Sequence, residues 1–170
     1  MTEELIKEVK EENKKADFKN MQLIVFKVGT EEYGLTIDQI KEVVITPAIT
    51  KVPLTASYIK GVANVRGNVL ALIDLEQRFG FNTSEGESEK PKYTLVVESE
   101  DFKMGILVKE VPNTLSVSQS DIDQSPNVIH DGNLDKNYIK GIVKLGSRLI
   151  ILVDIYKIIL KEEVSSAIIK

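Results

Sequence analysis

Histidine and cysteine, two side chains that often perform acid–base, nucleophilic or metal chemistry, are almost absent from this sequence. The only histidine is His130, which lies beside Asp131 and Gly132 in a polar stretch, and cysteine is absent. A catalytic nucleophile needs an oriented base, and a protein metal site needs several ligands. One histidine without cysteine satisfies neither requirement. The favoured interpretation of His130 is therefore an exposed loop residue, and the sequence predicts no metal site and no cofactor.

Two carboxylates, Asp74 and Asp154, could be considered as an acid–base pair because both follow an apolar strand pattern. Each one directly precedes a stretch with helical apolar periodicity, and aspartate is among the residues preferred at a helix N-cap. Capping explains both residues by one mechanism, so we predict that Asp74 and Asp154 are structural helix caps. The sequence also lacks a phosphate-binding Gly-rich loop and a nucleophile elbow. We therefore predict that the protein is not an enzyme.

Arg66 is the remaining candidate for function, because it occupies the tip of a predicted hairpin beside Gly67 and Asn68. Glycine and asparagine shape such turns, and a long cation at the tip projects outward. A surface arginine contributes little to stability, whereas arginine is enriched among the residues that dominate binding interfaces. The residues alone leave both interpretations of Arg66 open.

The elements that carry Arg66 occur twice in the chain. Residues 58–75 match residues 138–155, which lie 80 positions later. Both copies run from an apolar strand through a Gly-containing turn to a second apolar strand and then to an aspartate that can open a helix. The turns differ, since the arginine of the second copy lies two places further along. A repeat of this length predicts two related halves.

A second pair of segments also recurs. Residues 21–28 and 33–37 are predicted to form a hairpin, and the apolar patterns of residues 94–97 and 104–108 repeat it. Each half is therefore predicted to have the order hairpin, linker, hairpin and helix.

Two linkers join these hairpins. After the first hairpin, Asp38 is predicted to cap a short helix whose apolar side carries Ile40, Val43 and Val44. In the second half, residues 112–137 are predicted to be a polar connection, with Ile122 and Val128-Ile129 as its inward anchors.

The strands are short, closely spaced and separated by glycine, proline and asparagine turns. This pattern favours two small closed or nearly closed β-barrels over a sandwich. The strands over residues 69–73 and 149–153 are apolar at every position. We therefore expect both faces of these strands to be buried, as in halves that pack on one another.

Length and charge narrow the possible partners. The chain has 170 residues, a net charge of −4 and no dominant cluster of lysine or arginine, which argues against nucleic acid. No apolar run approaches the roughly 18 residues that a membrane span needs, and the first residues lack a signal-peptide pattern. We predict a cytoplasmic protein with a charged flexible leader over residues 1–20, one domain over residues 21–161 and a tail over residues 162–170.

As an ordered set, these motifs resemble the signature of the CheW chemotaxis coupling (adaptor) proteins. Residues 58–75 contain Gly-Val-x-Asn-hydrophobe-Arg-Gly, followed by an apolar strand and Asp-Leu. Glu32-Tyr33-Gly34, the central Gly105-Ile106-Leu107-Val108 and the terminal element over residues 141–154 match the same family. The resemblance covers about residues 20–161.

The resemblance implies a mainly β fold of two intertwined five-stranded β-barrel halves, with a shared core and a few short helices. It implies a non-catalytic adaptor that couples the regulatory domain of the histidine kinase CheA to the cytoplasmic tips of methyl-accepting chemoreceptors. Such a protein is expected to be monomeric in isolation and to be recruited to membrane-associated receptor arrays. The positions that match the family's receptor-binding groove are Ile40, Glu42, Gly61, Arg66 and Gly67.

Two positions depart from the family pattern, and several rival functions stay open. Ala71 stands where the family often has proline, and Lys109 stands where an aspartate often follows the central strand. The rivals are a CheW-like paralogue of another chemosensory pathway, an isolated kinase regulatory domain, a CheW–receiver fusion and a small-barrel nucleic-acid module. The lack of an ATP-binding or phosphoacceptor segment argues against the kinase and fusion alternatives, and the acidic balance argues against nucleic acid.

Overall fold

Strands dominate the described residues of the computed structural model, which are 20–81, 90–100, 103–123 and 138–159. The strands are β1 Asn20–Val28, β2 Glu31–Thr36, β3 Ile40–Ile45, β4 Ile59–Val65, β5 Asn68–Ile73, β6 Tyr93–Glu98, β7 Lys103–Val108, β8 Asn113–Ser118, β9 Ile122–Asp123, β10 Ile139–Leu145 and β11 Arg148–Val153. The α-helices are α1 Leu75–Arg78 and α2 Ile155–Ile159, and 3₁₀ turns cover Ile37–Gln39 and Gln119–Asp121. The predictions for His130, Val128-Ile129, the tail and the leader up to residue 19 lie outside the described residues.

The two halves of the chain exchange hairpins. Barrel 1 has the strand order β8-β1-β2-β11-β10-β9, and barrel 2 has the order β3-β6-β7-β5-β4. The first hairpin of each half therefore pairs with the second hairpin of the other half, through the parallel joints β2–β11 and β5–β7. The predicted mainly β fold of two intertwined barrel halves is confirmed.

Each barrel closes through a bent segment. In barrel 1, β8 and β9 are separated only by the turn Gln119–Asp121, and β9 pairs with β10 through Asp123 and Ile142. In barrel 2, a bridge between Thr50 and Val62 joins the segment after β3 to β4. These closures occupy equivalent positions of the repeat, so the duplicated sequence produces duplicated geometry.

The largest apolar cluster lies between the barrels and contains side chains from both halves. It includes Tyr58 and Tyr138, which are repeat equivalents, together with Leu75 and Ile155 at the starts of α1 and α2. Burial of a large apolar side chain contributes about 1.5–3 kcal/mol, so this shared cluster ties the barrels together. Smaller clusters fill each barrel, with Leu23 in barrel 1 and Leu70 in barrel 2 among the fully buried residues.

Aspartates hold the starts of both α-helices. The Asp74 carboxylate accepts from the backbone N–H groups of Glu76 at 2.9 Å and Gln77 at 3.4 Å. The Asp154 carboxylate accepts from those of Tyr156 at 3.1 Å and Lys157 at 3.4 Å. Both are N-cap geometries that satisfy otherwise unpaired donors, so each carboxylate caps its own helix.

Three expectations about the linkers and strands are wrong. The stretch after Asp38 forms only a 3₁₀ turn and then β3, because its β-branched residues pair with β6. The predicted polar connection begins with β8, which pairs with β1. The strands over residues 69–73 and 149–153 are not buried along their whole length. Val69 is 70% exposed and Leu149 is 56% exposed, because each sits beside a hairpin tip at the end of its barrel.

Arg78 of α1 lies between the aromatic rings of the two repeat tyrosines. Its guanidinium carbon is 5.3 Å from the ring centroid of Tyr58 and 5.6 Å from that of Tyr138. An N–H of Arg78 also donates to the Tyr138 hydroxyl at 3.2 Å. One cation from the first half therefore contacts both halves at their junction.

Replacing Arg78 with methionine should lower the free energy of unfolding by about 1–3 kcal/mol, because it removes two cation–π contacts and a hydrogen bond while keeping an apolar stem. Urea denaturation measures this change. The matched control is Arg148→Met, whose exposed ion pair should contribute less than about 1 kcal/mol. Equal losses in both variants would contradict the proposed contribution of Arg78.

Candidate partner-binding site

The tip between β4 and β5 is a tight turn that places Arg66 at the end of barrel 2. Arg66 has φ of 51° and Gly67 has φ of 88°. Positive φ at both central residues is the pattern of a type I′ turn, which suits the twist of a β-hairpin. The side-chain oxygen of Asn64 accepts the Gly67 N–H at 2.9 Å. The turn is therefore fixed locally, and a non-glycine residue with an uncommon backbone conformation carries the cation.

Arg66 forms an ion pair with Glu42 of β3. The Nε atom of Arg66 lies 3.1 Å from Oε2 of Glu42. The arginine side chain is 75% exposed and the glutamate side chain is 22% exposed. Strands β3 and β4 lie at opposite ends of the strand order of barrel 2. The ion pair therefore joins the two ends of this sheet and leaves the guanidinium in solvent.

Apolar side chains lie exposed on both elements that this ion pair joins. Val43 and Ile45 of β3 are 41% and 80% exposed, and Val69 of β5 lies opposite Asn64 beside the turn. Ile40 is only partly exposed and packs against the central cluster. We call Glu42, Arg66, Val43, Ile45 and Val69 the tip surface. Val43 and Ile45 lie on the face of β3 opposite to Glu42, because successive side chains of a strand alternate. The tip surface thus combines exposed apolar side chains with an exposed arginine, a residue type enriched at interfaces.

Lys41 links β3 to the neighbouring strand β6 through an exposed ion pair. Its ammonium lies 3.2 Å from Glu98 of β6, and Lys103 approaches the same carboxylate at 3.7 Å. Hydrogen bonding with Lys41 is the largest cause that holds the pKa of Glu98 below its usual value. Consecutive residues of β3 thus pair in opposite directions, Lys41 with β6 and Glu42 with the hairpin tip.

Gly61 is buried, and the barrel closes against it. It has φ of +144°, and an added Cβ would collide with the carbonyl oxygen of Thr50 and lie 2.9 Å from Cγ2 of Ile49. The Thr50–Val62 bridge runs directly beside it. The structure therefore gives Gly61 a role in closing barrel 2.

The equivalent tip of barrel 1 is built differently. Gly146 has φ of 59°, and the following Ser147 is not among the residues with positive φ. Arg148 donates through two nitrogens to Oε2 of Glu32, at 3.2 and 3.0 Å. Glu32 belongs to β2, which neighbours β11. The second arginine therefore joins adjacent strands, whereas Arg66 joins the two ends of a sheet.

A comparison with known protein families identifies the family that has this architecture. The family described as "CheW-like domain" matches residues 22–163. The chain belongs to the CheW-like family. It is 31% identical to Chemotaxis protein CheW of Treponema pallidum over 144 residues, which are 84% of each chain. It is 35% identical to Chemotaxis protein CheW of Helicobacter pylori over 142 residues, covering 84% of this chain and 83% of that one.

A solved relative shares the fold of this CheW-like chain. The crystal structure of the scaffolding protein TtCheW from Thermoanaerobacter tengcongensis superimposes with a TM-score of 0.72 and 30% sequence identity. The match covers 84% of this chain and 94% of that one. Together with the named relatives, it makes this protein a chemotaxis adaptor by family.

Two negative findings concern only the part of the chain that the structure describes. No three histidine, aspartate or glutamate side chains there come together as a metal site requires. No helix among those residues is long and apolar enough to cross a membrane.

The structure gathers three of the five residues that the CheW resemblance selects. Glu42, Arg66 and Gly67 lie together at the tip, whereas Ile40 turns toward the core and Gly61 lies in the closed seam. Sequence reasoning missed Val69 as a surface residue. Its position beside the Arg66-Gly67 turn was the available signal, because the residues flanking a hairpin tip lie at the end of the sheet.

Proposed function

We propose that this CheW-like protein is a non-catalytic adaptor that couples the histidine kinase CheA to the cytoplasmic tips of methyl-accepting chemoreceptors. The observation that carries the receptor contact is the Glu42–Arg66 pair at an exposed, locally fixed turn. Family membership supports the kinase contact and the support of receptor arrays. In this proposal the protein works in the cytoplasm and is monomeric in isolation.

The tip surface suits a receptor tip, which is a helical hairpin. A helix that docks on a protein needs an apolar floor and a few orienting polar groups. Val43 and Val69 supply exposed apolar area, and Ile40 supports the floor from within. Arg66 orients the partner, and Glu42 holds Arg66 against the body of barrel 2. Gly61 acts indirectly, by letting the barrel close beneath this surface.

A reconstituted binding assay tests the proposal. Purified protein is mixed with the regulatory domain of CheA and with a soluble receptor signalling fragment, first separately and then together. We expect two binary complexes and a ternary complex that elutes as one species in size-exclusion chromatography. Binding of neither partner would contradict the adaptor function. Binding of CheA alone would reject the receptor contact and leave a kinase-binding protein.

Replacing Gly67 with valine should weaken binding of the receptor fragment more than loss of the Arg66 side chain does, because it distorts the turn that carries the arginine. A non-glycine residue in the left-handed region costs about 1–2 kcal/mol. An added Cβ at Gly67 meets no atom within 4 Å, so the effect is conformational. Isothermal titration measures the change in Kd.

Gly146→Val is the matched control for this prediction. Gly146 has φ of +59° in the other hairpin tip and is equally open around its Cα. This variant should lose comparable stability and keep receptor affinity. If both variants lose affinity together, the loss reports general destabilisation and not the first tip.

A further inference from the structure

A second surface, distinct from the tip surface, is a groove of about 920 Å³ that lies between barrel 2, α1 and the end of β1. Its floor contains the buried apolar residues Val28, Leu75, Leu107 and Val108. Val28 comes from barrel 1 and the two β7 residues come from barrel 2. None of the residues selected for receptor binding lines this groove.

Lysines surround this groove although the protein as a whole is acidic. Lys27, Lys51, Lys60, Lys90 and Lys109 line it, and among the described residues its only acidic lining residues are Asp74 and Glu76. The described lining residues therefore carry a net charge of about +3, in a chain whose net charge is −4. Charges concentrated along a cleft raise the local concentration of ligands of opposite sign.

Internal ion pairs neutralise only part of this charge. Lys60 lies 3.8 Å from Asp74, and Lys109 lies 3.0 Å from Glu76. Glu76 is held further because it accepts the Gly29 N–H at 3.1 Å. Both acidic lining residues are thus already engaged by lysines within the groove.

The remaining lysines of the groove are not neutralised by close ion pairs within the part of the chain that the structure describes. Lys51 and Lys90 are exposed and form no ion pair with the described residues. Lys27 makes only a long pair of 3.8 Å with Glu110, and both of those side chains are more than half exposed. The groove therefore presents unused positive charge at its rim above an apolar floor.

We propose that this groove binds an acidic segment of a partner protein, whose carboxylates face the lysine rim and whose apolar side chains contact the floor. A volume of this size accommodates several side chains. The apolar floor and the absence of aromatic side chains among the described lining residues disfavour nucleic acid, which is bound through phosphate contacts and base stacking. This inference does not depend on the CheA or receptor contacts proposed above.

Fluorescence anisotropy with the full chain and a labelled peptide in which glutamate alternates with leucine tests the proposal. In an extended peptide this alternation places carboxylates on one side and leucines on the other. The comparison peptide carries glutamine at each glutamate position. We expect saturable binding of the glutamate peptide, binding at least about tenfold weaker for the glutamine peptide, and loss of affinity toward about 1 M salt, where the Debye length is about 3 Å.

The variants locate the binding. Lys51→Glu combined with Lys90→Glu should weaken binding of the glutamate peptide at least about tenfold, because two attractive charges become repulsive. Lys140→Glu is the matched control, since Lys140 is an exposed lysine at the repeat position equivalent to Lys60 and lies outside the groove. We expect this control to bind as the parent does. Equal losses in the two proteins would overturn the assignment to the groove.

Two other results would also overturn the proposal. Equal affinity for the glutamate and glutamine peptides would show that the lysines do not select charge. Residues 82–89, which precede Lys90 in the sequence, contain three glutamates. If changing these glutamates to glutamine tightened peptide binding at least about tenfold, the groove would be occupied by this chain's own acidic segment and not by a partner.

Discussion

Replacing Gly61 with alanine is expected to lower the free energy of unfolding by about 3–5 kcal/mol, which is a large part of the stability of a domain this size. Two costs add. A side chain at φ of +144° is strained, at about 1–3 kcal/mol, and the new Cβ would collide with the Thr50 carbonyl. Because the colliding atom belongs to the backbone, relief requires opening the seam where barrel 2 closes.

Alanine variants at two other glycines measure the steric clash and the backbone strain separately. Gly141 is the repeat equivalent of Gly61. An added Cβ there would lie 2.8 Å from the carbonyl oxygen of Asp123, but the φ of Gly141 is outside the strained positive range. Gly67 has φ of +88° with nothing within 4 Å. Gly141→Ala therefore reports the clash alone, and Gly67→Ala reports the backbone strain alone.

Urea denaturation of the three alanine variants measures the separate losses. We expect Gly61→Ala to lose more free energy of unfolding than either of the others, and approximately their sum. A Gly61→Ala protein as stable as the parent would show that the seam opens without cost. In that case Gly61 could act at the receptor interface directly, and the structural role assigned here would be wrong.

The duplicated sequence predicted the elements of each half better than their connections. The hairpins over residues 58–75 and 138–155 were visible because matching residues recur at a fixed spacing. Periodicity cannot show that β2 pairs with β11, since that parallel joint links strands more than a hundred residues apart. The intertwined arrangement was expected only through the resemblance to CheW proteins.

Two strands were mispredicted for different reasons. The sequence of β8 alternates polar residues with Leu115 and Val117, which point into barrel 1, so a period-two signal was present and was outweighed by the surrounding polar residues. The sequence of β3 has apolar residues that also fit a helix. Pairing with β6 decided between the two structures, and this long-range contact has no local signature.

The sequence predicted the exposed arginine of the candidate site but not the ion pair that positions it. Glycine and asparagine beside Arg66 predicted a turn and an exposed cation. The pairing with Glu42 depends on the curvature that brings the two ends of barrel 2 together, and a sequence gives no measure of that curvature. The groove lysines are scattered from residue 27 to residue 109, so no charge run revealed them.

Replacing Arg66 with alanine is expected to weaken receptor-fragment binding at least about tenfold, or about 1.4 kcal/mol, as loss of an interface hot spot does. The fold and the affinity for CheA should change little, because an exposed ion pair contributes about 0–1 kcal/mol to stability. Titration calorimetry with each partner, together with urea denaturation of each variant, measures the three quantities.

Two further variants distinguish the contribution of the Arg66 cation from that of the turn conformation. Arg66→Gly removes the cation and relieves the strain of φ at 51°, so it should be at least as stable as the parent and still bind the receptor weakly. Arg148→Ala removes the arginine of the other tip and should bind normally. Full receptor affinity in Arg66→Gly would mean that the guanidinium makes no contact with the receptor.

Glu42 provides the decisive coupling test. If Glu42 acts by holding Arg66 in place, Glu42→Ala should weaken receptor binding in the parent and have little further effect once Arg66 is alanine. The double-mutant cycle should then show a coupling energy of at least about 0.5 kcal/mol, as expected for residues in contact. Strictly additive losses would mean that each residue contacts the receptor independently. The 3.1 Å pair would then be a consequence of barrel closure and not the device that orients the arginine toward its partner.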